Sequence, residues 1–272
     1  MAKILEDTSG EAAYNKIISK EDALAHIKKR FGHNLDFDSL IRKCLVSDPI
    51  YGEAKPIYDH DEAAEICIAA NVDKPILPTK ENKLVVPIFN WKYTTTFKKE
   101  LTTKRADRCF EKLKYQMRHR ENKILIEILD KACDYSNQII KTDKYNFKNM
   151  LIESKVQVDQ HNVVIVNILL ATEQMPELIE QIKSFDAFDV STALYSINNV
   201  ILGYCYGAEI RPIPEVSKNI MYAMADAEFV GVVSNMADTW KIYFVDDKTI
   251  EVSFDAGYAI FCPRHVCKAI AS

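Results

Sequence analysis

The chain of 272 residues is 48% apolar and 27% charged, and carries a formal net charge of −4. That balance excludes wholesale disorder and argues against a dedicated nucleic-acid binder, which is normally basic over a whole domain. The length suits one large domain or two modest ones with a proper core. The sequence holds no run of 18 or more apolar residues, so no membrane-spanning helix is expected. Its first residues, MAKILEDTSGEAAYNK, lack the basic-then-apolar order of a signal peptide. Seven scattered cysteines (Cys44, Cys67, Cys109, Cys133, Cys205, Cys262, Cys267) form no CxxC pair, which predicts buried reduced thiols in a reducing cytoplasm.

The first 75 residues read as short helices on an extended arm. Ser19-Lys20-Glu21-Asp22 fits a capping-box start, Leu24, Ile27 and Phe31 form one apolar stripe, and Gly32 suits the stop. A second short helix is predicted over Phe37 to Leu45, irregular chain between Asp48 and Pro56, and a small helical piece around Glu62 to Ala70. Residues 72–103 hold two β-rich runs flanking the polar turn Lys80-Glu81-Asn82-Lys83, the second from Leu84 to Phe97. Pro75, Pro78 and Pro87 keep these runs out of the centre of an ordinary sheet, so the reading is a long hairpin with unpaired edges. Such a hairpin is marginal alone and asks for a partner surface.

From Lys104 to Tyr135, Ala106, Phe110, Leu113, Met117, Ile124, Ile128 and Ala132 recur at spacings of three, four or seven. This predicts a helical rod about 45–50 Å long, a spine. Residues 136–160 read as a loop or a pair of short strands. Beyond His161, NVVIVNILL is a buried strand and Thr172 to Ser184 a helix. Strands are expected at Ala208–Ile213, Asn219–Met224, Val230–Val233, Trp240–Val245, Thr249–Phe254 and Gly257–Cys262, with Asp246-Asp247-Lys248 as a hairpin turn.

Little in the sequence points to catalysis. Gly203-Tyr204-Cys205-Tyr206-Gly207 has the spacing of a nucleophile elbow, but AEIRPIPEV follows, broken by Pro212 and Pro214, where an elbow requires a helix. A soluble cysteine hydrolase would need His265 or His161 to approach Cys205. The bland reading is that Gly203 and Gly207 allow tight turns around a strand. Cys262-Pro263-Arg264-His265-Val266-Cys267 offers three soft-metal ligands, one short of a structural zinc site, and Asp59-His60-Asp61 has no matching carboxylates. The basic run from Lys104 to Lys123 is interspersed with Asp107, Glu111 and Glu121 and reads as a solvated helix face. No catalytic residue, metal or cofactor is assigned.

The order that remains is helical arm, open hairpin, spine helix and a mixed domain ending in strands. It resembles the major capsid protein of tailed double-stranded DNA phages, the Hong Kong 97-type fold. "VVIVNILLATEQMPELIEQI" looks like that family's strand and helix entering the axial domain. "ILGYCYGAEIRPIPEVSKNIMYAMADAEFVGVV" is similar to its glycine turn, strand, proline break and return, and "DTWKIYFVDDKTIEVSFDAGYAIFCPRHVCKAI" to its closing strands.

The resemblance implies an α+β chain with an N-terminal arm (1–71), an extended β-hairpin loop (72–103), a peripheral domain with the spine helix (104–170), an axial domain (171–238) and strands returning to the peripheral domain (239–272). It implies pentamers and hexamers forming an icosahedral shell around a phage genome, in the virion and, during assembly, in the host cytoplasm. Phe89, Trp91, Tyr93 and Phe97 would anchor the loop on a neighbouring subunit. Gly203 and Gly207 would shape an axial turn. The expected partners are further copies of the chain, a separate scaffolding protein, a portal and a decoration protein, with weak non-specific contact to DNA and no membrane. No lysine cross-link is expected. The same fold builds encapsulin-like nanocompartments, the alternative reading; a decoration or head-completion factor rarely needs a spine helix and a long open hairpin together.

Overall fold

The computed structural model describes residues 16–32, 39–50, 57–59, 66–78, 83–182, 188–189, 203–205, 207–236 and 240–272. The arm helix α1 (Lys20–Phe31) starts where Ser19 Oγ accepts the Asp22 amide at 3.0 Å and stops at Gly32, whose φ of +70° is open to glycine. Ala23, Ile27 and Phe31 are its buried face, while Leu24 is only half-buried. Helix α2 (Ile41–Cys44) is one turn, shorter than the helix expected over Phe37 to Leu45. Two expectations for the arm fail. Residues 46–50, predicted irregular, form strand β1 (Val46–Ile50). The helix expected around Glu62 to Ala70 is replaced, where described, by β3 (Ile68–Ala69). Cys67 and Ile76 exchange both backbone hydrogen bonds at 2.9 Å, so long-range pairing overrides the local helix preference.

The hairpin reading is also corrected. Strand β2 (Ile57–Asp59) pairs with β4 (Lys83–Val85), while β5 (Phe89–Thr96) pairs antiparallel along its length with Thr249–Ala256 of the same chain. The second β-rich run is therefore a sheet strand of the subunit. Prolines do not prevent this, because Pro87 precedes β5 and β5 contains none.

The spine is helix α3 (Thr103–Ser136), about 50 Å long at 1.5 Å per residue. Thr102 Oγ1 accepts the Arg105 amide at 3.3 Å, and Asn137 closes the other end in the left-handed conformation with φ of 56°. All seven residues of the expected stripe are buried. Residues 136–160, read as a loop or two strands, form one strand and one helix: β6 (Ile139–Thr142) and α4 (Phe147–Asp159), the latter capped by Asn146 Oδ1 on the Asn149 amide at 3.0 Å.

Then come β7 (Ile165–Ala171), a 3-10 turn (Thr172–Gln174), α5 (Met175–Ile182), β8 (Phe188–Asp189), β9 (Gly203–Cys205), β10 (Ala208–Ile213) and β11 (Ile220–Ala225). Strands β12 (Gly231–Met236), β13 (Lys241–Phe244), β14 (Thr249–Ile260) and β15 (Val266–Ala271) finish the chain. The hairpin turn holds as expected: Asp246 Oδ1 accepts the amides of Lys248 and Thr249, each at 2.7 Å.

Two sheets result. In the six-stranded one, the 12-residue strand β14 is the axis: β13 and β12 line one edge end to end, β5 and β3 the other, and β1 adds parallel to β12. The expected break between Phe254 and Gly257 is absent. Gly257 lies mid-strand, where an added Cβ would stand 2.5 Å from the Pro87 carbonyl oxygen, so a missing side chain lets residues 86–88 cross. The seven-stranded sheet runs β6-β15-β11-β7-β10-β9-β8. Its central strands are buried on both faces, hence their near-continuous apolar runs. Leu169, Tyr222 and Met224 join the core around α3, while Ile168, Leu170, Met221 and Ala223 pack with Met150 and Leu151 of α4. Alternation along each strand thus sets the spine on one face and α4 on the other.

Candidate assembly surfaces

The four aromatic residues expected to anchor a neighbour are placed in the subunit's own core or against it. Trp91 and Tyr93 are each only 8% exposed. Trp91 Nε1 donates to the Ala256 carbonyl at 3.0 Å and its ring meets Tyr258 edge-on at 5.6 Å, while Tyr93 stacks on Phe254 at 5.9 Å. Phe89 and Phe97 are half-buried, Phe97 against Phe244 at 6.1 Å. The strand alternates, so what β5 shows outward is Asn90, Lys92, Thr94 and Thr96. Pairing with β14 uses the apolar surface that an isolated hairpin would have offered a neighbour.

The two glycines part company. Gly207 holds the turn between β9 and β10 with φ of +84°, as a glycine turn requires. Gly203 is a strand residue paired with Ile210. Between them, Cys205 is fully buried, and burial pushes its thiol up to about 11. At neutral pH a thiolate fraction on the order of 10⁻⁴ follows, the opposite of an activated nucleophile. His265 Nδ1 lies 2.6 Å from the Phe229 carbonyl oxygen and its ring 6.4 Å from that of His161, whose Nε2 meets Gln138 Nε2 at 3.0 Å. Cys44 and Cys67 are raised to about 12, again chiefly by burial. We expect native protein at pH 8 to resist iodoacetamide at Cys44, Cys67 and Cys205, and all three to alkylate in denaturant. Rapid modification of Cys205 in the folded chain, read by peptide mass spectrometry, would refute this placement.

Among the described residues, no group of three or more His, Cys, Asp or Glu side chains is arranged to hold a metal. His60 and Asp61 lie outside the described residues. No helix among the described residues is long and apolar enough to cross a membrane.

The most constrained polar cluster was not singled out from the sequence. Glu121, within the apolar face of α3, is wholly buried. Its Oε2 accepts from Arg42 Nε at 3.0 Å and its Oε1 from Arg42 Nη2 at 2.8 Å, and the carboxylate also accepts from Ser39 Oγ and Tyr258 Oη. Burial alone would pull the Arg42 guanidinium down, but the adjoining carboxylate outweighs it and holds Arg42 well above its ordinary value. Tyr258 is pushed well up, first by burial and then by the Glu121 charge, so its phenol remains a donor. One residue on, Asn122 Oδ1 accepts the Leu40 amide at 3.0 Å, and Asn122 Nδ2 reaches Glu215 at 3.4 Å. Glu215 also pairs with His119 at 2.7 Å. Residues 39–42 of the arm, the middle of the spine, β14 and the loop after β10 therefore meet at one node. The signal was present: Glu121 falls on the stripe Leu113, Met117, Ile124, Ile128, where a carboxylate demands a buried partner.

Two smaller ties flank it. Asp130 accepts from Tyr222 Oη and Lys268 Nζ, both at 2.6 Å, fastening the spine to the seven-stranded sheet. Asp107 meets His26 at 2.8 Å and Arg30 at 2.7 Å, fastening α1 to the spine. Apolar side chains remain outside: Ile152 and Val156 stand one turn apart on α4, Ile179 lies on α5, which packs against α4, and Tyr243 and Val245 end β13.

No family model matches the chain, and no curated protein matches it. Solved structures do. A virus-like particle from Pyrococcus furiosus matches with a TM-score of 0.53 at 13% identity, over 92% of this chain and 98% of that chain. The capsid of cyanophage P-SCSP1u matches at 0.49 and 8% identity over 86% of this chain and 88% of that one. The holo-SrpI encapsulin complex from Synechococcus elongatus PCC 7942 matches at 0.46 and 12% identity over 99% and 96%. With its arm, 34-residue spine and two sheets, the chain has the Hong Kong 97-type fold found in phage capsids and encapsulins.

Proposed function

We propose that this chain is a shell subunit, and specifically a phage major capsid protein that closes into pentamers and hexamers around double-stranded DNA. The observation that carries the reading is the likeness to the virus-like particle subunit over nearly the whole of both chains. Head-to-tail contacts with a closing rotation make rings. The apolar side chains left exposed on α4, α5 and β13 are the surfaces we assign to those contacts, with the turn at Gly207 towards the ring axis. Each contact is individually modest, so misplaced subunits dissociate while a closed shell holds collectively. The net charge of −4 suits weak, sequence-independent contact with a genome that must later leave. A separate scaffolding protein, a portal and a decoration protein complete the proposed set of partners, in the host cytoplasm first and the virion after.

The test is to express the chain alone and examine it by light scattering and negative-stain microscopy. Rings, tubes or closed shells are expected. Nuclease-resistant DNA inside particles made during infection supports the capsid; one enclosed protein species supports a nanocompartment instead. A monomer of about 31 kDa that persists at high concentration and with scaffold added would overturn shell formation.

A further inference from the structure

We propose that residues 1–15 of the same chain add as a strand to the open edge of β5, in the groove between that strand and α3. Strand β5 is eight residues long and, among the described residues, pairs only with β14. Its other edge therefore presents a row of backbone donors and acceptors, which folded proteins ordinarily cover. That edge forms a groove with the spine, walled by Lys92 and Thr94 of the strand and by Lys112, Tyr115, Gln116 and Arg120 of the helix. A strand laid there would have one side against α3 and one towards solvent. Tyr93, which also lines the groove, has a buried hydroxyl with no hydrogen-bond partner.

Charge and chain path choose the occupant. The groove carries Lys92, Lys112 and Arg120, and its one carboxylate, Glu111, is already paired with Arg30 at 2.8 Å. Residues 1–15 hold Glu6, Asp7 and Glu11 against the single Lys3, the complementary sign. The described chain begins beside the groove's end: Ile17 bridges Thr102, and the Ile18 amide donates to the Leu101 carbonyl at 3.0 Å, just beyond β5. From the start of α3, Glu111 is about 12 Å away along the helix axis and Arg120 about 26 Å. Fifteen extended residues reach about 50 Å, enough to enter the groove and run its length.

The test is amide exchange on the full chain and on a variant lacking residues 1–15, measured at subunit level under dissociating conditions. We expect β5 amides to exchange about tenfold or more faster without the segment, and a synthetic peptide of residues 1–15 to restore protection. In the full chain, the double reversal Lys112→Glu with Arg120→Glu should release β5 to the same extent. A peptide carrying Glu6→Lys, Asp7→Lys and Glu11→Lys should then protect the reversed protein better than the native peptide does. The double reversal alters exposed helix positions, so it keeps the test valid if the truncated chain fails to fold. Unchanged β5 exchange in both variants would overturn the proposal. So would a photo-crosslinker placed at Thr8 that, in a mixture of light and heavy chains, joined only different chains, since the groove would then belong to a second copy.

Discussion

Replacing Glu121 with alanine should lower the stability of the subunit by about 3–5 kcal/mol, the range for removing one partner of a buried ion pair. The loss has several sources at one site. Arg42 keeps its charge in an enclosed place without its bidentate acceptor, and Ser39 and Tyr258 each lose theirs. Such a loss is a large part of the 5–15 kcal/mol typical of folded proteins. It should appear as a lower urea midpoint, with the first exchange gains at residues 39–44, since that segment holds to the spine through this node. Pairing Glu121→Ala with Arg42→Met should recover part of the loss, because no charge is then stranded. A loss below about 1 kcal/mol for Glu121→Ala alone would mean the node is not the buried clasp described above.

Phe31→Ala should cost about 3–5 kcal/mol by the usual accounting for a buried aromatic ring. Phe31 is 1% exposed, meets Phe110 edge-on at 4.7 Å and lies 6.5 Å from Trp240. It is thus the bolt that holds the last turn of α1 to both the spine and the chain entering β13. Its removal should free α1 while leaving the seven-stranded sheet intact, a difference that site-resolved exchange reads directly. Equal loss of protection in both regions would show that the arm helix is integral to global folding and not separately docked. If shells form as proposed, the same variant should lower the yield of closed particles before it abolishes subunit folding.

The long spine was legible because it is a local property. Seven apolar residues at helical spacing fix a face whatever lies opposite, and Thr102 and Asn137 supply the ends. Most strands of the second half were legible for the same reason, as was the Asp246 turn, whose bonds reach only two and three residues along the chain. What escaped was pairing. Strand β5 and its partner β14 stand more than 150 residues apart in sequence, and no local pattern tells an exposed hairpin arm from a sheet strand. The consequence was the misplacement of Trp91 and Tyr93 as anchors for a neighbour, although both rings lie in the subunit's own core.

Glu121 shows the same division within one residue. Its position on the apolar stripe could be read from spacing alone, and with it the need for a buried partner. That the partner is Arg42, and that Tyr258 and Ser39 complete the set, depends on segments brought together only when the chain folds. By itself the sequence determined the periodic elements, their ends and the mild acidity of the whole, because these depend on neighbours within a few residues. Only the tertiary structure decided which edges pair, which aromatics are spent inside the subunit and which charges meet. Those outcomes rest on contacts between distant segments, where burial and backbone hydrogen bonding outweigh local preference.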